Sequence, residues 1–348
     1  MQKSTIVVIG AGVAAAMLMV VIALAQSNPP MMQENESLSQ STMISQSQTS
    51  KIKIIASFYP LYEFSKNIAG DKADVFTFVP VGIEPHDWEP STGDLITLKE
   101  SDVFVYNGGG MEPFVEKLID SGEYPNILFV ETTHGIDLIK TDDEHEEHAE
   151  EERAEEAHTE EMNEGEMDDD HEFLYDPHIW LDPILAKEQV MAIKNALIKV
   201  DTDNAQYYED NANTYSAKLD ALDSKIKTEL SNCNKNTIVP FHNAFTYFGA
   251  RYGIEIHALS GMAPESEATA HELKELIDFV KENEIKVIFA EDLVDPKLAN
   301  VLADEAGAQV LLLSPLEGIT QEEQANGMSY LEKMEENLKN IKVALECQ

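Results

Sequence analysis

Short apolar runs alternate with amphipathic stretches along most of the chain after residue 50. Eight runs, rich in Val, Ile, Leu and Phe, are typical of buried parallel strands. They lie at 52–56, 75–79, 103–106, 127–130, 237–240, 255–258, 286–290 and 310–313. Stretches with helical periodicity separate them, among them 61–69, 111–119, 270–281 and 296–306. Such alternation predicts an α/β fold with parallel sheets covered by helices.

Two longer helical patterns, 184–200 and 203–230, divide the strands into two groups of four. The second pattern is long for a helix of a globular protein, and between two α/β halves it would form a rigid strut. We therefore predict two lobes with a cleft between them, each with a four-stranded, mainly parallel sheet flanked by helices. The lobes are residues 51–200 and 233–348, and one long helix within 201–232 joins them.

The N-terminal segment differs from the rest of the chain. Residues 5–25 carry no charge and are mostly apolar, so residues 1–25 are either a signal peptide, with a cleavage site at Ala23-Leu24-Ala25, or an N-terminal membrane anchor. The length favours the anchor, since about 20 apolar residues span a bilayer. No cysteine lies near residue 25, so we do not expect a lipid anchor there. The polar residues 26–50 predict a flexible linker. Both alternatives place residues 51–348 outside the cytoplasm.

The charge of the chain is strongly negative and uneven. The 348 residues carry a formal net charge of -41, which excludes nucleic acid as a partner because a polyanion requires a basic face. Residues 142–172 hold eighteen acids and one base, and also four of the ten histidines: His145, His148, His158 and His171. Without apolar periodicity, this segment is predicted to be a disordered loop. It either captures metal ions weakly near a site or is simply a solvated run of charge.

Three other histidines stand in contexts that favour a metal site. His86 and His242 each follow a predicted strand, at the end where α/β folds bind ligands. His178 follows Pro177, and Asp176 or Asp182 could accept its second ring N–H, as metal-bound imidazoles require. For Asp182, which precedes Pro183, helix capping is the alternative. Three imidazoles from two lobes suit Zn²⁺, and one carboxylate would complete a tetrahedron.

Three segments, in this order, resemble the metal-ligand motifs of the zinc and manganese solute-binding proteins of ABC importers. They are 82–90 (GIEPHDWEP), 176–181 (DPHIWL) and 242–248 (HNAFTYF). The resemblance extends from about residue 51 to the C-terminus and includes the long helix and the acidic, His-rich loop of zinc-type members. It implies an extracytoplasmic receptor, not an enzyme, that delivers Zn²⁺ to an ABC permease and ATPase complex. We expect a monomer, attached to the membrane through its N-terminal segment.

The resemblance also implies a fourth ligand. In such proteins a carboxylate follows the last strand-like segment, which matches Glu317 after 310–313. Glu291, directly after 286–290, is the alternative; otherwise it would accept a hydrogen bond from a ligand or cap a helix. Manganese-type relatives have a carboxylate at the third position, where this chain keeps His242. Three imidazoles and one carboxylate favour Zn²⁺ over Mn²⁺.

Other functions remain open at this stage. A receptor for Mn²⁺ or another divalent metal, a metal-dependent adhesin and a zinc buffer all fit the same motifs. A zinc hydrolase would require water in place of Glu317. The two cysteines, Cys233 and Cys347, could pair in an oxidising compartment, but the sequence does not show that they meet.

Overall fold

The computed structural model describes residues 51–141, 174–264, 266 and 269–348. The predictions for residues 1–50 lie outside these ranges, and so do those for the acidic loop with His145, His148, His158 and His171. Within the described ranges, no helix combines the length and the apolar character that a bilayer span requires.

The sheet of the first lobe has four parallel strands in the order β2-β1-β3-β4. The strands are β1 (Ile52–Ala56), β2 (Ala73–Thr77), β3 (Val103–Tyr106) and β4 (Leu128–Glu131). Successive side chains point to opposite faces, so Ile54 joins one apolar cluster and Ile55 another. Burial on both faces explains the continuous apolar run of the central strand β3, as predicted, whereas Asp74 and Phe76 of the edge strand β2 are exposed.

The described helices of the first lobe cover this sheet. They are α1 (Tyr59–Ala69), α2 (Thr92–Leu98), α3 (Phe114–Asp120) and α4 (Pro183–Val200). Helix α2 was not among the predicted elements. It begins at a capping box in which the Ser91 hydroxyl accepts the N–H of Asp94 while the Asp94 carboxylate accepts the N–H of Ser91.

The second lobe has the four predicted strands as two parallel pairs, β5–β6 and β7–β8. They are β5 (Thr237–Ile238), β6 (Glu255–Ile256), β7 (Val287–Ala290) and β8 (Gln309–Leu312). The Phe289 N–H donates to Val239 O at 2.8 Å and links the pairs. Strand β5 is short because Pro240 follows and has no N–H for the ladder. The helices are α6 (Thr246–Tyr252), α7 (Ala270–Glu282), α8 (Lys297–Ala306), α9 (Gln321–Asn326) and α10 (Tyr330–Ala344).

The long helix, α5, spans Ala205–Glu229 after a single 3₁₀ turn at Thr202–Asn204. Its buried face belongs to an apolar core that contains Ile54 of the first lobe and Ile341 of α10. One core therefore runs through both lobes, which favours the rigid junction that the sequence predicts. Just beyond α5, Cys233 forms a disulfide with Cys347 near the C-terminus.

Candidate metal centre

Four side chains converge between the lobes: His86, His178, His242 and Glu317. Each offers one donor atom, and these atoms all lie within 4.8 Å of one another. No side chain of the four is more than 3% exposed. The sequence prediction chose these four residues, and the structure brings them together.

Three donor groups follow the end of a strand, and the fourth begins a helical segment. His86 lies in the loop after β2, His242 follows β5, and Glu317 follows β8. His178 immediately precedes a single 3₁₀ turn that leads into α4. Because the carboxyl ends of parallel strands open toward one edge of each sheet, loops from both lobes meet at one point.

Five of the six distances between the donor atoms match those around a four-coordinate ion. Glu317 Oε1 lies 3.3 Å from Nε2 of His86, 3.2 Å from that of His178 and 3.1 Å from that of His242. The His178 Nε2 lies 3.4 Å from that of His86 and 3.3 Å from that of His242. A tetrahedron built on Zn–N bonds of about 2.0–2.1 Å has edges of roughly 3.3–3.4 Å. The four groups can therefore hold a zinc ion with little rearrangement.

Two further carboxylates contact the Nδ1 atoms of two of the histidines, opposite the Nε2 atoms that face the centre. Asp176 Oδ1 accepts the main-chain N–H of His178 at 2.9 Å and lies 2.8 Å from its Nδ1. Glu291 Oε1 accepts the main-chain N–H of His242 at 3.1 Å and lies 2.7 Å from its Nδ1. Each carboxylate thereby directs the Nε2 atom of its histidine toward the centre.

The sequence favoured Glu317 over Glu291 as the fourth ligand, and it left Asp176 and Asp182 as alternative partners of His178. Glu317, and not Glu291, contributes an oxygen to the cluster. Asp176, and not Asp182, contacts the His178 ring. Asp182 instead caps α4 by accepting the Ile184 N–H at 2.8 Å, and it also pairs with Arg251.

The buried Glu317 carboxylate and the carboxylates beside His178 and His242 favour a positive charge at the centre. Burial lowers the pKa of His86 against the attraction of Glu317. Burial also opposes a charge on His178 and His242, but nearby carboxylates outweigh it. They raise the pKa of His178 and raise that of His242 well above its usual range. Despite burial, His242 and His86 hold the pKa of Glu317 well below its usual range. A metal ion or protons can supply this charge.

Sequence reasoning missed the buried carboxylate of Glu112, which is linked through Asn107 to the segment that carries His178. Glu112 accepts the Ser57 hydroxyl at 2.6 Å and the main-chain N–H of Asn107 at 2.8 Å. The Asn107 amide donates to Pro177 O at 2.9 Å, next to His178. Burial raises the pKa of Glu112 to about 7. Glu112 lies six residues after the end of the predicted strand 103–106, at the start of the predicted helix 111–119, and its place after a strand is the signal that could have found it.

Fold and site together define a two-lobed binding protein for a single divalent transition-metal ion. The family described as zinc-uptake complex component A, periplasmic, matches residues 54–344. The chain belongs to this family, which confirms the resemblance seen in the sequence and its α/β fold. The family description is that of an uptake component rather than an enzyme.

The names of two relatives refer to zinc uptake and to zinc binding. The high-affinity zinc uptake system protein ZnuA of Bacillus subtilis is 37% identical over 295 residues, which are 85% of this chain and 88% of that protein. The zinc-binding lipoprotein AdcA of Streptococcus pneumoniae is 36% identical, with 84% of this chain covered. The present chain covers 55% of AdcA, about half its length.

Solved structures of relatives have the same fold. The Zn(II)-bound ZnuA-like domain of Streptococcus pneumoniae AdcA gives a TM-score of 0.68 at 33% identity, with 85% of this chain and 99% of that chain covered. The laminin-binding protein Lmb of Streptococcus agalactiae, described as having adhesin and metal-transporting activity, gives 0.70 at 30% identity. The match covers 85% of this chain and 99% of that one.

Proposed function

We propose that this protein is an extracytoplasmic receptor that binds one Zn²⁺ ion with high affinity and delivers it to an ABC-type importer. The buried cluster of three imidazoles and one carboxylate, in which five donor–donor distances match the edges of a zinc tetrahedron, carries this proposal. The named functions of the ZnuA and AdcA relatives support it. In this proposal His86, His178, His242 and Glu317 are the ligands, and Asp176 and Glu291 orient two of the imidazoles.

The donor set favours zinc over manganese. Mn²⁺ prefers more oxygen ligands, whereas three nitrogen donors and one oxygen donor suit Zn²⁺. Each imidazole must be neutral at Nε2 to bind, so binding releases protons. The ion is the cargo of this receptor, and a permease and an ATPase in the membrane are its partners.

The parts of the chain outside the centre serve capture and attachment in this proposal. Residues 1–25 export the protein or anchor it to the membrane, and residues 26–50 form a tether. The acidic segment 142–172 gathers divalent ions weakly for the centre. Residues 51–200 and 233–348 act as the two metal-binding lobes of a monomer, and residues 201–232 hold them in place.

A competition titration of metal-stripped protein against a chromophoric zinc chelator tests the binding step. We expect one tight zinc per chain, loss of the tight site in His178→Ala, and an intact tight site when residues 142–172 are deleted. A tight site that survives His178→Ala, or that disappears with the deletion, would contradict the ligand assignment. Delivery is tested by adding zinc-loaded protein to a reconstituted permease–ATPase complex from the same genome and measuring ATP hydrolysis.

Adhesion is a second candidate function, because Lmb is described as both an adhesin and a metal transporter. Binding of the full chain to immobilised laminin, with and without zinc, tests this function. A zinc hydrolase is disfavoured because four protein donors close the coordination sphere, whereas a catalytic zinc keeps one position open for water.

A further inference from the structure

Glu317 lies in a loop without regular structure, residues 314–318, between β8 and α9. The preceding residue, Leu316, has a φ of +59°, in the left-handed region that L-residues avoid. Its side chain is fully buried. Such a conformation persists only where surrounding contacts hold it. The contacts that hold this loop therefore determine where the Glu317 carboxylate points.

The second lobe holds the loop from one side through Asn337 of α10, which is buried. The side-chain oxygen of Asn337 accepts the Ser314 N–H at 2.9 Å, and its amide donates to Ser314 O at 2.6 Å. The Ser314 hydroxyl in turn accepts the Leu316 N–H at 3.2 Å. Both main-chain polar groups of Ser314 and the N–H of Leu316 are thus fixed.

The first lobe holds the loop from the other side through Trp180, whose side chain is fully buried. The indole N–H of Trp180 donates to Pro315 O at 2.7 Å. Trp180 itself is fixed by Tyr330, whose hydroxyl donates to Trp180 O at 2.5 Å. Because Trp180 lies two residues after His178, this bond joins the segment that carries His178 to the segment that carries Glu317.

We propose that Asn337 and Trp180 are positioning residues for Glu317 and that they set its oxygen at bonding distance from the metal ion. This inference rests on the proposed function. Neither side chain touches the ion. Together they hold Ser314 and Pro315, and so keep Leu316 in its left-handed conformation. Without either contact, the loop relaxes and Glu317 Oε1 leaves its place beside the three imidazoles.

Asn340 offers a matched control for Asn337. It lies on the same helix, and its amide donates to Leu312 O at 2.8 Å, just before the loop. Both Asn→Ala changes therefore remove side-chain hydrogen bonds from α10 to this part of the main chain, two for Asn337 and one for Asn340. We expect Asn337→Ala to weaken zinc binding by roughly 10–100-fold, as for other supports of metal ligands. Asn340→Ala should leave the zinc affinity close to that of the unmodified protein.

The spectrum of bound Co²⁺ provides a readout that a general loss of stability would not change. We expect Asn337→Ala and Trp180→Phe, the latter lacking the indole N–H, to alter the visible absorption bands that report tetrahedral coordination. Asn340→Ala should leave these bands as they are. Circular dichroism selects the variants that fold, and Trp180→Phe decides the question if Asn337→Ala does not fold.

The inference would be overturned if Asn337→Ala and Trp180→Phe bound zinc as tightly as Asn340→Ala does and left the Co²⁺ spectrum unchanged. Failure of the proposed function gives a different result, because the unmodified protein would then show no tight zinc site. A third result refutes only the positioning role. In that result the unmodified protein binds zinc tightly, and Glu317→Gln weakens the binding but Asn337→Ala and Trp180→Phe do not.

Discussion

Replacement of Glu317 by glutamine removes one negative charge from the buried centre and nearly preserves the shape of the side chain. Its Oε1 atom lies 3.1–3.3 Å from three imidazole nitrogens, so the change affects the donor nearest to all the others. Glu291→Gln is the matched comparison. Glu291 is a buried glutamate in the same lobe, but it contacts only the outer nitrogen and the main chain of His242.

The two variants differ in expected magnitude. Structural zinc sites bind with about 10–16 kcal/mol at neutral pH, so an even share for each of four ligands is about 2.5–4 kcal/mol. We therefore expect Glu317→Gln to weaken zinc binding by roughly 100–1,000-fold. Removal of a carboxylate that supports a ligand weakens binding by about 10–100-fold, which we expect for Glu291→Gln.

Competition with a chelator of known zinc affinity at pH 7 measures both variants on one scale. Absorption by bound Co²⁺ then reports whether the tetrahedral set is intact. We expect Glu317→Gln to lose the tetrahedral spectrum and Glu291→Gln to retain it. A larger loss of affinity in Glu291→Gln, together with a retained spectrum in Glu317→Gln, would refute the assignment and make Glu291 the fourth ligand.

Three further predictions concern pH and stability. Carboxylates raise the pKa of His178 and His242, so protons compete with zinc for these side chains. As the pH is lowered, the zinc affinity measured by chelator competition should begin to fall while the pH is still above 6.5. A zinc affinity that is constant from pH 8 to pH 6 would contradict this. Cys233 and Cys347 are 114 residues apart, so their disulfide closes a long loop in the unfolded chain. Reduction should lower the free energy of unfolding, measured with urea, by about 5 kcal/mol. An unchanged urea midpoint would contradict this. The folded pKa of Glu112 is raised from 4.5 to about 7, so the folded protein binds this proton more strongly than the unfolded chain and stability falls as pH rises between those values. The stability of Glu112→Gln relative to the unmodified protein should therefore increase by about 3 kcal/mol over that range, and a difference independent of pH would contradict this.

Local chemistry explains why the sequence predicted the donor groups. His86, His242 and Glu317 each follow an apolar run, and the end of a parallel strand is recognisable without knowledge of the tertiary structure. Helix α2 also had a local signal, the Ser91–Asp94 capping box. The short extent of β5 follows from Pro240, which is equally visible in the sequence.

Contacts between distant segments could not be predicted in this way. The Trp180–Pro315 bond joins residues 135 positions apart, and it depends on how the lobes pack rather than on any local pattern. The disulfide was left open for the same reason. The local pattern alone did not separate Glu291 from Glu317, since both residues follow apolar runs in the second lobe. The preference for Glu317 came from the resemblance, and the structure places its oxygen in the cluster.

The network around the centre bears on how zinc binding is achieved. Asp176 and Glu291 orient two imidazoles through contacts within the protein, and main-chain hydrogen bonds hold the Glu317 loop. One apolar core joins the lobes that carry these groups. Because these contacts are made within the protein, they reduce the binding free energy that would otherwise be lost in ordering the donors. The same placement brings three buried carboxylates, Asp176, Glu291 and Glu317, to one centre, where a divalent cation can compensate negative charge. Preorganisation and charge together favour tight binding of one ion.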